Sequence, residues 1–117
     1  MESDGARLMG NMVLITSPGV GAIHRERERQ WEEEGFDDEH DDQHTENELI
    51  RAAYSYILAA VAGSVMEEGE RVTEEPPETW PWAPEWWKPD LDDPVRMLTK
   101  AGALIAAEID RQVRARE

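Results

Sequence analysis

Two stretches of the chain hold side chains dense enough for chemistry. The first runs from Glu32 to Glu48 and reads EEEGFDDEHDDQHTENE. Ten of its seventeen residues are acidic, and no Lys or Arg lies between Arg29 and Arg51. His40 and His44 are four apart, with Asp37, Asp41 and Glu48 close in sequence. On a helix such a His pair shares one face and, with carboxylates, can ligate a divalent ion. Like charges this crowded repel, at roughly 1 kcal/mol or more per close pair near a surface. Solvent, a cation or basic groups from elsewhere must offset that. Three readings stay open: a solvated acidic loop, a metal or cationic-ligand site made by Asp37, His40, Asp41, His44 and Glu48, and a docking surface for a basic partner. If the two histidines are simply exposed among acids, the segment becomes pH-sensitive.

The second stretch, Thr79 to Pro94, reads TWPWAPEWWKPDLDDP and carries four Trp and four Pro in sixteen residues. Trp80, Trp82, Trp86 and Trp87 make a stacking platform, and Lys88 adds a cation for a phosphate. Stacking on aromatic rings contributes roughly 1–3 kcal/mol per base. The same block also reads as a hydrophobic strap completing a small core, and the two are compatible if two Trp pack inward while two line a pocket. Arg25 and Arg29, one helical turn apart, can meet a ligand phosphate or the acidic stretch. Alternation of Arg25, Arg27 and Arg29 with Glu26 and Glu28 reads equally as a salt-bridged, solvated helix face. Tyr54 joins Arg25, Arg29, Trp80, Trp82, Trp87 and Lys88 as a ligand-binding candidate. Glu108 and Asp110 read as surface acids. No Ser-His-Asp order, Gly-rich phosphate loop or HExxH motif is present.

The elements that must position these groups are helices. Ser17-Pro18 has the form of an N-cap and first helical residue, and Gly35 suits a left-handed C-terminal cap, giving a helix over about 18–34. Thr45-Glu46-Asn47-Glu48 has the capping-box form, giving a helix over about 46–67. Its two apolar stripes, Leu49-Ala53-Tyr56 and Ile50-Tyr54-Ile57, mark it as the central helix. Asp93-Pro94 opens a third helix over about 94–115, with Val95, Leu98, Gly102, Ile105 and Ile109 at helical spacing. Between the first two helices lies the acidic segment, read as a loop. Proline excludes regular helix from the Trp-rich block. Residues 1–16 read as weakly structured and 17–117 as a single helical domain. The expected class is therefore all-α, three principal helices with an acidic loop and a Trp/Pro-rich strap.

Composition narrows the partners. A chain of 117 residues suffices for one domain with a modest core. A formal charge of −15 opposes direct contact with a nucleic-acid backbone or an anionic membrane. It favours a basic protein partner. There is no Cys, so disulfides and thiolate metal sites are excluded. No apolar run approaches the roughly 18–20 residues of a membrane span. A cytoplasmic location is the default expectation.

Three segments together resemble a family of small bacteriophage and prophage proteins. They are ERERQ…EGFDDEHDDQH…ELIRAAYSY (Glu26 to Tyr56), WPWAPEWWKP (Trp80 to Pro89) and LTKAGALIAAEIDR (Leu98 to Arg111). The resemblance covers about two-thirds of the chain. It implies a phage origin and brings no assigned activity. A more distant likeness is to the all-α NTP pyrophosphatases of the MazG kind, which hold Mg²⁺ on ExxE and ExxD pairs. This chain departs from that pattern: Glu46 and Glu48 are two apart, and Arg96 and Lys100 stand where acids are wanted. The function expected is a phage accessory protein, with an anti-defence role, that binds and sequesters a nucleotide-type small molecule without turnover. It is expected to be a homodimer. One alternative is an acidic inhibitor docking on a basic host protein. Another is a nucleotide pyrophosphohydrolase using a divalent metal ion.

Overall fold

The computed structural model describes residues 17–61 and 75–117. The expectations for 1–16 and for helix beyond Val61 lie outside the described residues. Those described are all-α, without a strand. Helices α1 (Pro18–Glu34), α2 (Asp38–Asp42), α3 (Glu48–Val61) and α4 (Pro94–Ala115) follow in order, and a single 3₁₀ turn, Pro84–Trp86, interrupts the strap. None of these helices is long and apolar enough to cross a membrane.

Local chemistry sets most of the boundaries. Ser17 Oγ accepts the Val20 N–H at 3.3 Å, and Pro18 fills the first helical position without wasting a donor. Gly35 closes α1 at φ 75°, a conformation that costs a side-chain-bearing residue far more. Asp93 caps α4 by accepting the Arg96 N–H at 3.0 Å. The acidic stretch is not all loop. Asp37 accepts the His40 N–H at 2.9 Å and nucleates the five-residue α2, whose first-turn acids meet the positive end of the helix dipole. The expected Thr45 capping box does not form. Asn47 takes φ 67°, which Asn tolerates, and its carbonyl accepts the Arg51 N–H. The Glu48 carboxylate turns back to the Glu46 N–H at 2.7 Å, so α3 starts at Glu48.

The core is small and alanine-rich. Leu49, Ala52, Ala53, Tyr56 and Ala59 of α3 face Met97, Ala101, Leu104 and Ala107 of α4. Trp80 and Trp87 close it from the strap, with Trp87 stacked on Tyr56 at 4.9 Å between ring centres. The central helix is α4, not α3 as the stripe pattern implied: α4 packs on α1, α2 and α3 alike. Its small residues allow this. A Cβ placed at Gly102 would stand 2.5 Å from Ile23 Cδ1, so any side chain there would force Ile23 of α1 to shift. On the second stripe of α3, Ile50 and Tyr54 face outward, Tyr54 51% exposed, while Ile57 packs against the core.

Buried ion pairs tie the helices where apolar contact is thin. Glu26 of α1 is 3% exposed and accepts from Arg96 of α4 at 2.6 Å and from Arg29 at 2.8 Å. Burial works to raise its pKa, but the hydrogen bonds and charges of Arg29 and Arg96 outweigh it and bring the value down to about 2. Asp41 of α2 is wholly buried and meets Arg27 of α1 at 3.1 Å. Arg114 of α4 reaches Asp38 at 2.9 Å and Asp42 at 2.8 Å. Glu108, expected at the surface, is buried, because Arg111 and Gln112 on its own helix fold over its carboxylate.

Breaking a buried pair by neutralising one partner strands the other charge. Glu26→Gln is therefore expected to cost about 3 kcal/mol in denaturant unfolding. The pH dependence has a fixed sign. A carboxylate lowered from its ordinary 4.5 to about 2 stabilises the fold fully above 4.5, and that contribution is lost as pH falls toward about 2. The wild type should lose stability across that window, and Glu26→Gln should lose less. Equal acid sensitivity in both chains would show that Glu26 does not carry the coupling.

Candidate functional site

An aromatic ladder connects the acidic segment to the core. Phe36 stacks on His40 at 4.4 Å between ring centres and 8° between planes. His40 meets His44 at 4.6 Å, His44 meets Trp82 edge-on at 5.4 Å, and Trp82 meets Trp80 at 5.3 Å. These rings hold the strap away from α1 and α4 and leave a cleft of about 760 Å³ between them. Its aromatic surface comes from Phe36, Tyr56, Trp80, Trp82 and Trp86. Its charged end comes from Glu26 and Arg29 of α1 and Lys100 of α4, with Lys88 on the strap. Cavities of this size are typical of small-molecule sites, which combine apolar walls with a few convergent polar groups.

Two groups in the cleft are costly to the protein on its own. Gln30 is 3% exposed, and its Nε2 donates to Glu26 Oε2 at 3.1 Å. That donation fixes the amide orientation, since the reverse would set an oxygen against a carboxylate. Gln30 Oε1 is then a buried acceptor that meets no donor among the described residues. An unmet buried acceptor costs about 1–3 kcal/mol. Lys100 is the second. Its Nζ donates to the Lys88 carbonyl at 3.1 Å and lies 5.1 Å from the centre of the Tyr56 ring. Burial first, and then Arg96, push its pKa below the usual lysine range. No ion pair of Lys100 with a carboxylate is found among the described residues. Burial also pushes the Tyr56 hydroxyl up to about 12, so it stays protonated and accepts the Lys88 N–H at 3.4 Å.

The residues singled out from the sequence divide between this cleft and other places. Arg29, Trp80, Trp82, Lys88, His40 and His44 line it. Arg25 does not; it is exposed and borders a shallow depression with Asp93, Arg96 and Thr99. Tyr54 is on the outer face of α3, and Tyr56, two residues on and so about 200° round the helix, lines the cleft instead. Trp87 is core. Of the metal candidates, Asp37 caps α2, and Asp41 and Glu48 stand behind His40 at 2.9 Å and His44 at 3.7 Å. Among the described residues, no three His, Asp or Glu side chains are placed to hold a metal ion together.

Glu26, Gln30, Phe36 and Lys100 were not singled out as ligand-binding residues. A signal for two of them exists: Ile23, Glu26 and Gln30 fall at i, i+3 and i+7, the inward spacing of α1. Charge alternation in ERERERQ masked it. Compared with known proteins, the chain matches no family model, no curated protein and no solved structure. The class is thus defined by its own geometry: an all-α chain with an aromatic cleft closed by a Trp/Pro strap.

A lysine held below its usual pKa lowers stability when charged. Lys100→Met keeps the aliphatic stem and removes that charge. Its unfolding midpoint is expected to equal or exceed that of the wild type. A loss above about 1 kcal/mol would mark Lys100 as structural rather than reserved for a ligand.

Proposed function

We propose that the chain binds a nucleotide-type small molecule in this cleft and holds it without turnover. One observation carries the reading: π faces and cations converge on one cavity of about 760 Å³. Trp82 and Trp86 offer faces for a base, while Lys88 and Lys100 offer charge for phosphates; Arg29 lines the same cleft but is paired with Glu26 and Glu34. The acids nearest the charged end are already occupied, Glu26 by Arg29 and Arg96 and Glu34 by Arg29 at 2.6 Å. This supports retention over metal-assisted hydrolysis. The sequence likeness to small phage proteins supports the wider reading, an accessory protein that removes a signalling nucleotide from the host cytoplasm. Exposed Leu98, Ile109 and Val113 on α4 support a homodimer.

The competing reading, an acidic inhibitor of a basic host protein, uses the Glu32–Glu48 stretch as an interface. Three of its ten acids answer to the chain's own arginines: Asp41 to Arg27, and Asp38 and Asp42 to Arg114. Charges paired internally are weak bait for an outside partner.

Thermal unfolding against linear and cyclic nucleotides tests the proposal. A ligand at 100 times its Kd adds about 2.7 kcal/mol, a shift of several degrees for a domain of this size. Trp86 is 64% exposed, so Trp86→Ala should leave the ligand-free midpoint unchanged and abolish the shift. Intact ligand recovered after incubation is expected. A shift that survives Trp86→Ala moves the site elsewhere, and recovery of hydrolysed ligand ends the sequestration reading.

A further inference from the structure

One buried polar atom in the cleft wall meets no donor among the described residues, and its chemistry says what kind of molecule fits. Gln30 of α1 is buried and lines the cleft, and the atom is its Oε1. Among the described residues, the other buried side-chain nitrogens and oxygens all have partners. A buried acceptor without a donor lowers stability, and a ligand that brings a donor recovers the loss.

The amide cannot turn over to relieve itself. Its Nε2 donates to Glu26 Oε2 at 3.1 Å, and the same carboxylate accepts from Arg29 and Arg96. Despite burial, those two arginines keep the Glu26 pKa down at about 2, so the carboxylate stays charged. A flipped amide would set Oε1 against it, acceptor against acceptor. The backbone is held as well: the Gln30 carbonyl takes the Gly35 and Phe36 N–H groups where α1 ends, which brings the Phe36 ring into the same wall. Oε1 therefore reads in one direction. It rewards a donor and penalises an acceptor. The terminal torsion of glutamine is broad, so a modest turn aims Oε1 into the cleft without giving up Glu26.

A one-way reader suits a base better than a sugar. A hydroxyl rotates to serve as donor or acceptor, so a fixed acceptor tells little about it. An exocyclic amino group on a flat base is a donor with a fixed direction. A base stacked on an aromatic ring also presents its edge to the groups around that ring, and glutamine pairs through its amide with the amino edge of adenine. We propose that Gln30 Oε1 selects the base, so that the cleft takes nucleotides whose base carries an exocyclic amino group, adenine or cytosine, over the same nucleotides without it. Gln30 is the specificity-determining residue, and Glu26 is the residue that positions it. The inference rests on the nucleotide reading of the cleft and deepens it.

Matched ligands test this. The full chain is titrated calorimetrically with the ribonucleoside diphosphates of adenine and cytosine, each beside the analogue that carries hydrogen in place of the amino group. In whichever series binds, the analogue is expected to bind at least about 10-fold more weakly. Gln30→Met keeps the length of the side chain and removes the acceptor, and it should bring that ratio close to one. A merely structural role for Gln30 would weaken both members alike and leave the ratio intact. Folding of the variant is checked by circular dichroism; should it fail to fold, Gln30→Asn, which keeps the amide but draws it back by one methylene, takes its place with the same expectation. A ratio near one in the wild type, or an unchanged ratio in a folded Gln30 variant, overturns the proposal and leaves the cleft a nucleotide site. Binding of none of the four compounds overturns the base selection and the nucleotide reading together.

Discussion

A carboxylate removed from water must be met by a cation, and among the described residues three carboxylates are removed from water. Glu26, Asp41 and Glu108 are each buried, and each is met by arginine. For the first two the arginine comes from another helix. The Glu26–Arg96 contact draws α1 onto α4, and the Asp41–Arg27 contact draws α2 onto α1. Arg114 then ties the far end of α4 to α2. An alanine-rich core contributes little area per residue, so these contacts decide register more than the apolar seam does. Their net worth in stability is small when the desolvation of both charges is counted; their effect is to penalise any other packing, which leaves a charge stranded.

The cleft follows from that arrangement. Glu26 is fixed between Arg29 and Arg96, and it fixes Gln30 in turn. The amide oxygen meets no donor among the described residues. A protein selected for stability alone would replace Gln30 with an apolar residue and Lys100 with methionine. An acceptor without a donor and a lysine without a carboxylate, beside an exposed Trp86, are instead the features of a site suited to a ligand. Gln30 Oε1 asks for a donor, and Lys100 asks for an acceptor or an anion. A molecule that answers both carries hydrogen-bond donors and negative charge together.

How much of this was legible in the sequence depends on how local the cause was. Ser17, Gly35 and Asp93 act within one turn of backbone, and their roles follow from residue type and position. All-α architecture follows from periodicity. Thr45 misled because Asn47 could take a left-handed conformation and start α3 two residues later, a choice made by packing. Glu26 and Glu108 read as solvated because charge alternation on α1 and sparse acids on α4 normally are. Their burial depends on which arginines come near, and that is a tertiary fact. The order of helices failed for a similar reason: stripe width on α3 measures apolar surface, whereas centrality went to α4, whose Ala101, Gly102 and Ala107 let neighbours approach.

The remaining difficulty is electrostatic. A chain with a formal charge of −15 repels an anionic ligand at long range. Screening limits that repulsion to about 8 Å at physiological ionic strength, so the local balance at the cleft decides. Arg27 and Arg114 pair with Asp41, Asp38 and Asp42, three of the ten acids of the stretch, which offsets part of the charge that would oppose a phosphate near α2. Glu33 and Glu34 still line the rim. Arg29 answers both, at 3.6 Å and 2.6 Å, and in doing so spends the guanidinium on the protein itself. Lys88 and Lys100 are then the main cations left to meet a ligand from the strap side and from α4. Two lysines against a polyphosphate leave negative charge over.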